Sequence, residues 1–193
     1  MSESILLPRS LFPATLQGQL VTLRPMNLTL DIPILYSLTN GSPIKTESVS
    51  IEAYNPDQTI WEFMYWPRSG TQHYMEEFYR SNYDTCHFFT IFDNETNAPI
   101  GSIGYGYIYP EHLTVEIIKV WLSFAAQGGG KCTEAVNLMV EHAFKMGYRT
   151  IYWRASNLNK RSTRIAEKTG FKLEVFATDA VIMYESSIFE FHY

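Results

Sequence analysis

Three consecutive glycines constrain this chain most: Gln127-Gly128-Gly129-Gly130-Lys131-Cys132-Thr133-Glu134. A strand-like run, Val115 to Leu122, precedes them. Ala135, Leu138, Met139, Ala143 and Met146 follow at helical spacing, up to Gly147. Glycines at a strand-to-helix junction leave backbone N–H groups bare. The first N–H groups of a helix have no intrahelical partner, and the helix dipole makes that end positive. A chain built this way is expected to hold an anion there, and the phosphates of a nucleotide-containing ligand suit it.

The remaining sequence sets bounds on that ligand's protein. The chain has 193 residues, enough for one domain with a sizeable core: residues 1–17 as an irregular lead-in and 18–193 as the domain. Its formal net charge of −5 argues against a general nucleic-acid binder. No 18-residue apolar run is present, so no membrane span is expected. Pro8, Arg9 and Pro13 interrupt the apolar start and leave no signal-peptide core. Cys86 and Cys132 make no disulfide framework and read as reduced thiols of a cytoplasmic protein. Aromatic residues make up 15% of the chain, which suits either a core or an aromatic-lined pocket.

In chain order, Gly18 to Arg24 alternates like a strand. Asn27 to Asn40 reads as a helix with Pro33 in its first turn. Residues 41–58 read as a loop, and Thr71 to Asn82 as a helix capped by Thr71. Cys86 to Phe92 and Ile100 to Ile108 form a hairpin about the turn 93–99. Beyond the glycine loop and its helix come a strand at 150–155, a short helix at 159–168 capped by Asn159, and strands at 171–176 and 181–191. This order predicts an α/β (α+β) fold with a mostly antiparallel sheet and one βαβ-like unit across the loop.

Known phosphate motifs do not fit. A Walker loop would need Gly at Ala125 and Ser or Thr at Cys132. Gly101, Gly104 and Gly106 lack both the Rossmann spacing and a following helix. The five histidines are scattered, and no Cys or His pair has metal-ligand spacing, so no metal is expected.

The chain resembles the GCN5-related N-acetyltransferase family over roughly residues 18–191. The resemblance rests on Gln127-Gly128-Gly129-Gly130-Lys131-Cys132, on the preceding strand Val115 to Leu122, on Asn159-Lys160-Arg161-Ser162 with Glu167-Lys168-Thr169-Gly170-Phe171, and on Leu23-Arg24-Pro25. It is most similar to the branch holding ribosomal-protein N-terminal alanine acetyltransferases and small-molecule relatives. The resemblance implies a sheet of six to seven strands with a splayed central pair, flanked by helices. It also implies acetyl-CoA, or another acyl-CoA, as cofactor. Backbone groups of Gly128, Gly129, Gly130, Lys131 and Cys132 are then expected on the pyrophosphate, with Gln127 opening the loop. Val120, Trp121 and Leu122 are expected beside the pantetheine arm with Asn159, and Arg161 or Arg164 near the 3′-phosphate.

Two positions depart from the family pattern. Cys132 stands where Gly or Ala is usual; it either simply fits or is made reactive by the helix start. Ala166 stands where many members carry a tyrosine that protonates the leaving thiolate, and Ser162 or a water is the substitute. Glu116 reads either as the general base or as an outward carboxylate paired with a lysine. A backbone N–H near Trp121 or Leu122 is expected to meet the oxyanion. Trp61, Phe63, Tyr65, Trp66, Tyr105 and Tyr107 are candidates for the acceptor pocket, with hydrophobic core as the competing use.

Three readings follow. The first is transfer of an acyl group to an amine of a small molecule or protein N-terminus, by a monomer or homodimer. The second is the same fold used for cyclisation or rearrangement of a hydrophobic metabolite. The third is a non-catalytic CoA-binding module.

Overall fold

The computed structural model describes residues 8, 10, 11, 14–45, 50–64, 70–178 and 181–187, and from residue 174 onward the backbone alone. Tyr65 and Trp66, expected in the acceptor pocket, lie outside the described residues.

The strands are β1 (Leu16–Gln17), β2 (Val21–Pro25), β3 (Ile44–Lys45), β4 (Ser50–Ile51), β5 (His87–Asp93), β6 (Pro99–Tyr109), β7 (Thr114–Leu122), β8 (Thr150–Ser156), β9 (Lys172–Thr178) and β10 (Val181–Ser187). The helices are α1 (Leu28–Ser37), α2 (Pro56–Thr59), α3 (Gln72–Ser81), α4 (Lys131–Met146) and α5 (Lys160–Lys168). One sheet runs β1-β2-β5-β6-β7-β8-β10-β9, and β3-β4 form a separate ribbon. Every neighbouring pair is antiparallel except β7 and β8, which α4 joins in parallel. The expected seven strands are present, and β1 adds a two-residue edge.

Local chemistry explains the helix ends. The Asn27 side chain accepts from the N–H groups of Thr29 and Leu30, and Asp31 accepts from the Asn27 N–H at 2.9 Å. Asp31 also accepts from the Thr90 hydroxyl at 2.7 Å, which ties α1 to β5. Thr71 and Asn159 cap α3 and α5 in the same way. Gly147, at φ +106, closes α4.

Two cores sandwich the sheet. Under α4 and α5 lie Leu23, Phe89, Ile103, Val115, Ile117, Met139, Ile151 and Trp153. Under α1 and α3 lie Ile32, Leu35, Met75, Tyr79, Phe88 and Trp121. β5 is buried on both faces, which is why it reads as a continuous apolar run rather than an alternation.

Three expectations need correction. Pro33 sits in the second turn of α1, because Asn27 caps a helix that begins at Leu28. Within the stretch read as a loop, Ile44–Lys45 and Ser50–Ile51 pair as the β3-β4 ribbon and α2 begins at Pro56, where Asn55 caps it. The lead-in is not wholly irregular: Leu16 and Gln17 pair with Leu23 and Thr22, and Leu11 is buried in the core.

Gly101 pairs with Leu122, and a Cβ placed on it would sit 2.2 Å from the Trp121 carbonyl oxygen. Backbone cannot yield as a side-chain tip does. Gly101→Ala is therefore expected to cost about 3 kcal/mol, read from the denaturant midpoint. A loss below about 0.5 kcal/mol would show that β6 and β7 are not so closely apposed.

Candidate active site

β7 and β8 pair only from Thr114↔Thr150 to Ile117↔Trp153. Each strand then runs on with its outer neighbour alone: Trp121 and Leu122 with Ser102 and Gly101, and Arg154 to Ser156 with β10. The cause lies in β7. Ser102 opposes Trp121 and Gly104 opposes Ile118, so Lys119 and Val120 together face the single residue Ile103. Lys119 takes φ +52. An extra residue of this kind bends a strand and ends its regular pairing. The inner edge of β7 from Ile118 to Leu122 therefore has no strand beside it, and an extended chain can pair there.

The glycine loop lies at the open end of this wedge. Gly128, Gly129 and Gly130 have φ of +90, +62 and +84. A Cβ at the first two would meet nothing within 4 Å, and one at Gly130 would meet only Leu20 at 3.5 Å. Glycine is thus required by backbone conformation, and the space outside is open. α4 starts from Gly130 with no side-chain cap, so its first N–H groups face that space.

Two nearby side-chain charges are already answered. Lys131 Nζ lies 2.8 Å from Asp93 Oδ2, so its charge is answered within the protein while its backbone N–H remains at the loop. Glu134 accepts from the N–H groups of Gln19, Leu20 and Val21 at 2.9, 2.7 and 2.8 Å, clasping the turn before β2. Cys132 packs against the main core, and burial pushes its thiol up to about 12. This favours the reading that Cys132 simply fits over that of a reactive thiol at the helix start.

A polar bridge crosses the mouth of the wedge. Arg161, in the first turn of α5, donates to Gln127 Oε1 at 2.9 Å and to the Thr59 carbonyl at 3.2 Å. Gln127 Nε2 donates to the Thr59 and Leu122 carbonyls at 3.3 and 3.4 Å. The strap around α2 is thus fastened to both walls. Beside it, Trp61 packs edge-on against Trp121, and Tyr54 stacks on Phe124. Asn159 accepts from the Ser162 N–H through Oδ1, which leaves its NH2 to donate. Ser162 Oγ accepts from Trp153 Nε1 at 2.8 Å, and its own hydrogen stays free to donate. Ala166, one turn further along α5, is fully buried.

On the α1/α3 face, Glu116 is 7% exposed. Arg154 holds it: Nε and Nη2 lie 2.8 and 2.5 Å from Oε2. Burial pushes the Glu116 carboxyl above its usual value, and Arg154 partly offsets this. The guanidinium of Arg154 lies 4.3 Å above the ring of Tyr107, which is 55% exposed. The pairing partner is thus an arginine from the next strand, where the sequence suggested a lysine.

Tyr105 is corrected. It is 0% exposed, and its hydroxyl donates to the Met139 carbonyl at 2.6 Å, which makes it a core residue under α4. Trp61 is buried in the second core. Sequence reasoning missed Arg154, Lys119 and the Thr59 carbonyl. The first was legible only as an alternate residue of a strand, and the last is a backbone atom with no sequence signal.

Among the described residues, no group of three or more His, Cys, Asp or Glu side chains gathers as a metal site, and no helix is long and apolar enough to cross a membrane.

A family model described as an acetyltransferase (GNAT) domain matches residues 21–172. The chain belongs to the GNAT acetyltransferase family. It is an acetyl-CoA-dependent N-acetyltransferase acting on an amine. The fold of this GNAT protein is similar to that of a probable GNAT acetyltransferase from Chromobacterium violaceum, at 19% identity over 97% of this chain and 94% of that one, with a TM-score of 0.78. It is also similar to a GCN5-related N-acetyltransferase from Brucella melitensis, at 20% identity over 94% and 82%, TM-score 0.76. A third similar structure is RimL, a ribosomal L7/L12 alpha-N-protein acetyltransferase in complex with coenzyme A, at 19% over 91% and 98%, TM-score 0.71. A comparison with curated proteins finds no match. The wedge, the open glycine loop and the uncapped start of α4 suit the pantetheine arm and pyrophosphate of coenzyme A in this GNAT domain.

Arg161 fastens the α2 strap to Gln127, and the N–H groups of Ile60 and Trp61 both bond the Pro56 carbonyl. In Arg161→Ala, amide hydrogen exchange at Ile60 and Trp61 is expected to quicken at least fivefold with β5 and β6 unchanged. Unchanged exchange there would show that the bridge does not hold the strap.

Proposed function

We propose that this protein transfers acetyl from acetyl-CoA to an amine of a small molecule or protein N-terminus through the wedge between β7 and β8. The observation that carries the reading is the loss of β7-β8 pairing after Ile117, which opens beside an uncapped helix start. Acetyl-CoA supplies the thioester carbonyl that the amine attacks.

The protein's residues take the following parts. N–H groups from Gly128 to Cys132 bind the pyrophosphate. The backbone of Val120, Trp121 and Leu122, with the Asn159 NH2, orients the pantetheine arm. Gln127 holds the mouth, and Arg161 is placed to exchange a carbonyl for a phosphate. Glu116 removes a proton from the acceptor through Oε1, the oxygen Arg154 does not hold. A backbone N–H near Trp121 or Leu122 donates to the carbonyl oxygen as charge develops on it. Ser162 Oγ–H gives its proton to the departing sulfur and regains one through solvent, to which Glu116 releases the proton it took. Tyr107 and Trp61 border the acceptor, with Tyr65 and Trp66 as further candidates.

Residues 18–193 are read as a single domain. The net charge of −5 supports an acceptor other than nucleic acid, and two free thiols support the cytoplasm. A monomer or homodimer fits this reading.

Isothermal titration with acetyl-CoA tests the cofactor site. The wild type is expected to bind near micromolar, about −8 kcal/mol, and Gly130→Trp not at all. Absence of binding by the folded wild type would sink the proposal.

Glu116→Gln tests the base. A fall in kcat of at least about 100-fold is expected, with acetyl-CoA affinity within about twofold. The base works deprotonated, and burial raises its pKa from the ordinary 4.5, so the acid limb of kcat/KM should lie above that value. Arg154 opposes the rise, so Arg154→Met should move the limb to still higher pH. A limb that stays in place, or unchanged turnover in Glu116→Gln, would remove Glu116 from the mechanism.

A further inference from the structure

Lys119 stands at the bulge that bends β7, beside the bare edge of Val120 to Leu122. Its φ of +52 is a conformation that suits glycine, yet the position holds a long cationic side chain. The ammonium lies 4.8 Å from the centre of the Phe78 ring on α3. The residue is half-buried, and among the described residues no carboxylate lies within 4 Å of the ammonium.

The carboxylate that acts on it is Glu116, which Arg154 already holds. Cys86 also faces it, and burial raises that thiol above its usual value, keeping it neutral. The α1/α3 face at the bulge therefore carries one positive charge in excess. Burial disfavours that charge and pushes the Lys119 ammonium below its ordinary pKa. A ligand anion reaching it offsets the cost. Glu116, with one oxygen uncommitted, presents the opposite sign one short step along the same strand.

We propose that Lys119 recognises the acceptor, and that the acceptor is an amine with a carboxylate a few bonds from its nitrogen. This rests on the reading of Glu116 and the β7 edge given above. The ammonium of such a molecule faces Glu116 while its carboxylate meets Lys119. That chemistry belongs both to a free α-amino acid and to a peptide N-terminus with an acidic second residue.

Calorimetry on the full chain loaded with coenzyme A tests it with matched pairs. One set is the twenty L-α-amino acids against their C-terminal amides. The other is the peptide amides Ser-Asp-Ala and Ser-Asn-Ala. In the wild type, the acid member of one set should bind at least about tenfold tighter than its neutral partner; the set that shows this names the source. Lys119→Gln should bring the two members within about twofold. Lys119→Gly, which relieves the backbone while removing the ammonium, should do the same.

Equal binding of both members by the wild type overturns the proposal. So does a preference that survives in either variant, or no binding of any member. The same titrations are run on the full chain without coenzyme A: a Lys119-dependent preference there, in a protein that fails to bind acetyl-CoA, keeps the acceptor inference and sinks the transfer reading, so the two failures are distinguishable.

Discussion

Parallel strands in a closed sheet hide their backbone from ligands, because each N–H and C=O is spent on a neighbour. Here β7 and β8 hold together for four residue pairs and then separate at a bulge of two residues, Lys119 and Val120, against one. The rest of the site depends on that separation. It bares the edge of β7, and it sets the glycine loop and the start of α5 on opposite lips of one opening. It also sends Trp121 toward the α1/α3 side, where its Nε1 donates to the Tyr79 hydroxyl. Without the bulge the sheet would close, and three positive-φ glycines would border an ordinary turn.

Electrostatics sorts the two sides of the wedge. At the loop, two charged side chains are answered within the protein: Lys131 by Asp93, Glu134 by three backbone N–H groups. What remains to attract an anion is fixed dipole, preorganised and needing no reorganisation when the ligand arrives, together with Arg161, which is held only by neutral oxygens. On the α1/α3 face the pattern differs. Glu116 and Arg154 form a pair held through one carboxylate oxygen, and Lys119 stands beside it with no carboxylate within 4 Å among the described residues. A loop that recognises by backbone suits a constant cofactor. A face that recognises by side chains suits a particular acceptor.

Much of this was legible in the residues. Asn27, Thr71 and Asn159 announce helix starts because their side chains satisfy N–H groups that the helix cannot. The three glycines announce a positive-φ loop, and Gly147 a helix end. Pairing between distant strands was not legible, since Glu116 and Arg154 are 38 positions apart and meet only through the β7-β8 register. Tyr105 misled because an aromatic on a strand looks alike on either face; the register alone turns it under α4. The segment after Gly41 read as loop because its elements are only two to four residues long, and their order comes from contacts of Tyr54, Thr59 and Trp61 with residues far along the chain. Cys132 was ambiguous because a helix start and a buried position push a thiol in opposite directions, and only packing decides which prevails.

The measurement closest to the central claim is a crystal structure of the wild type with acetyl-CoA. The account predicts pantetheine amides paired with the backbone of residues 120–122, the pyrophosphate within hydrogen-bond distance of N–H groups from Gly128 to Cys132, and β7 and β8 separating after Ile117 as they do now. A cofactor bound elsewhere on the surface, or strands paired beyond Ile117 with the glycine loop untouched, would contradict it.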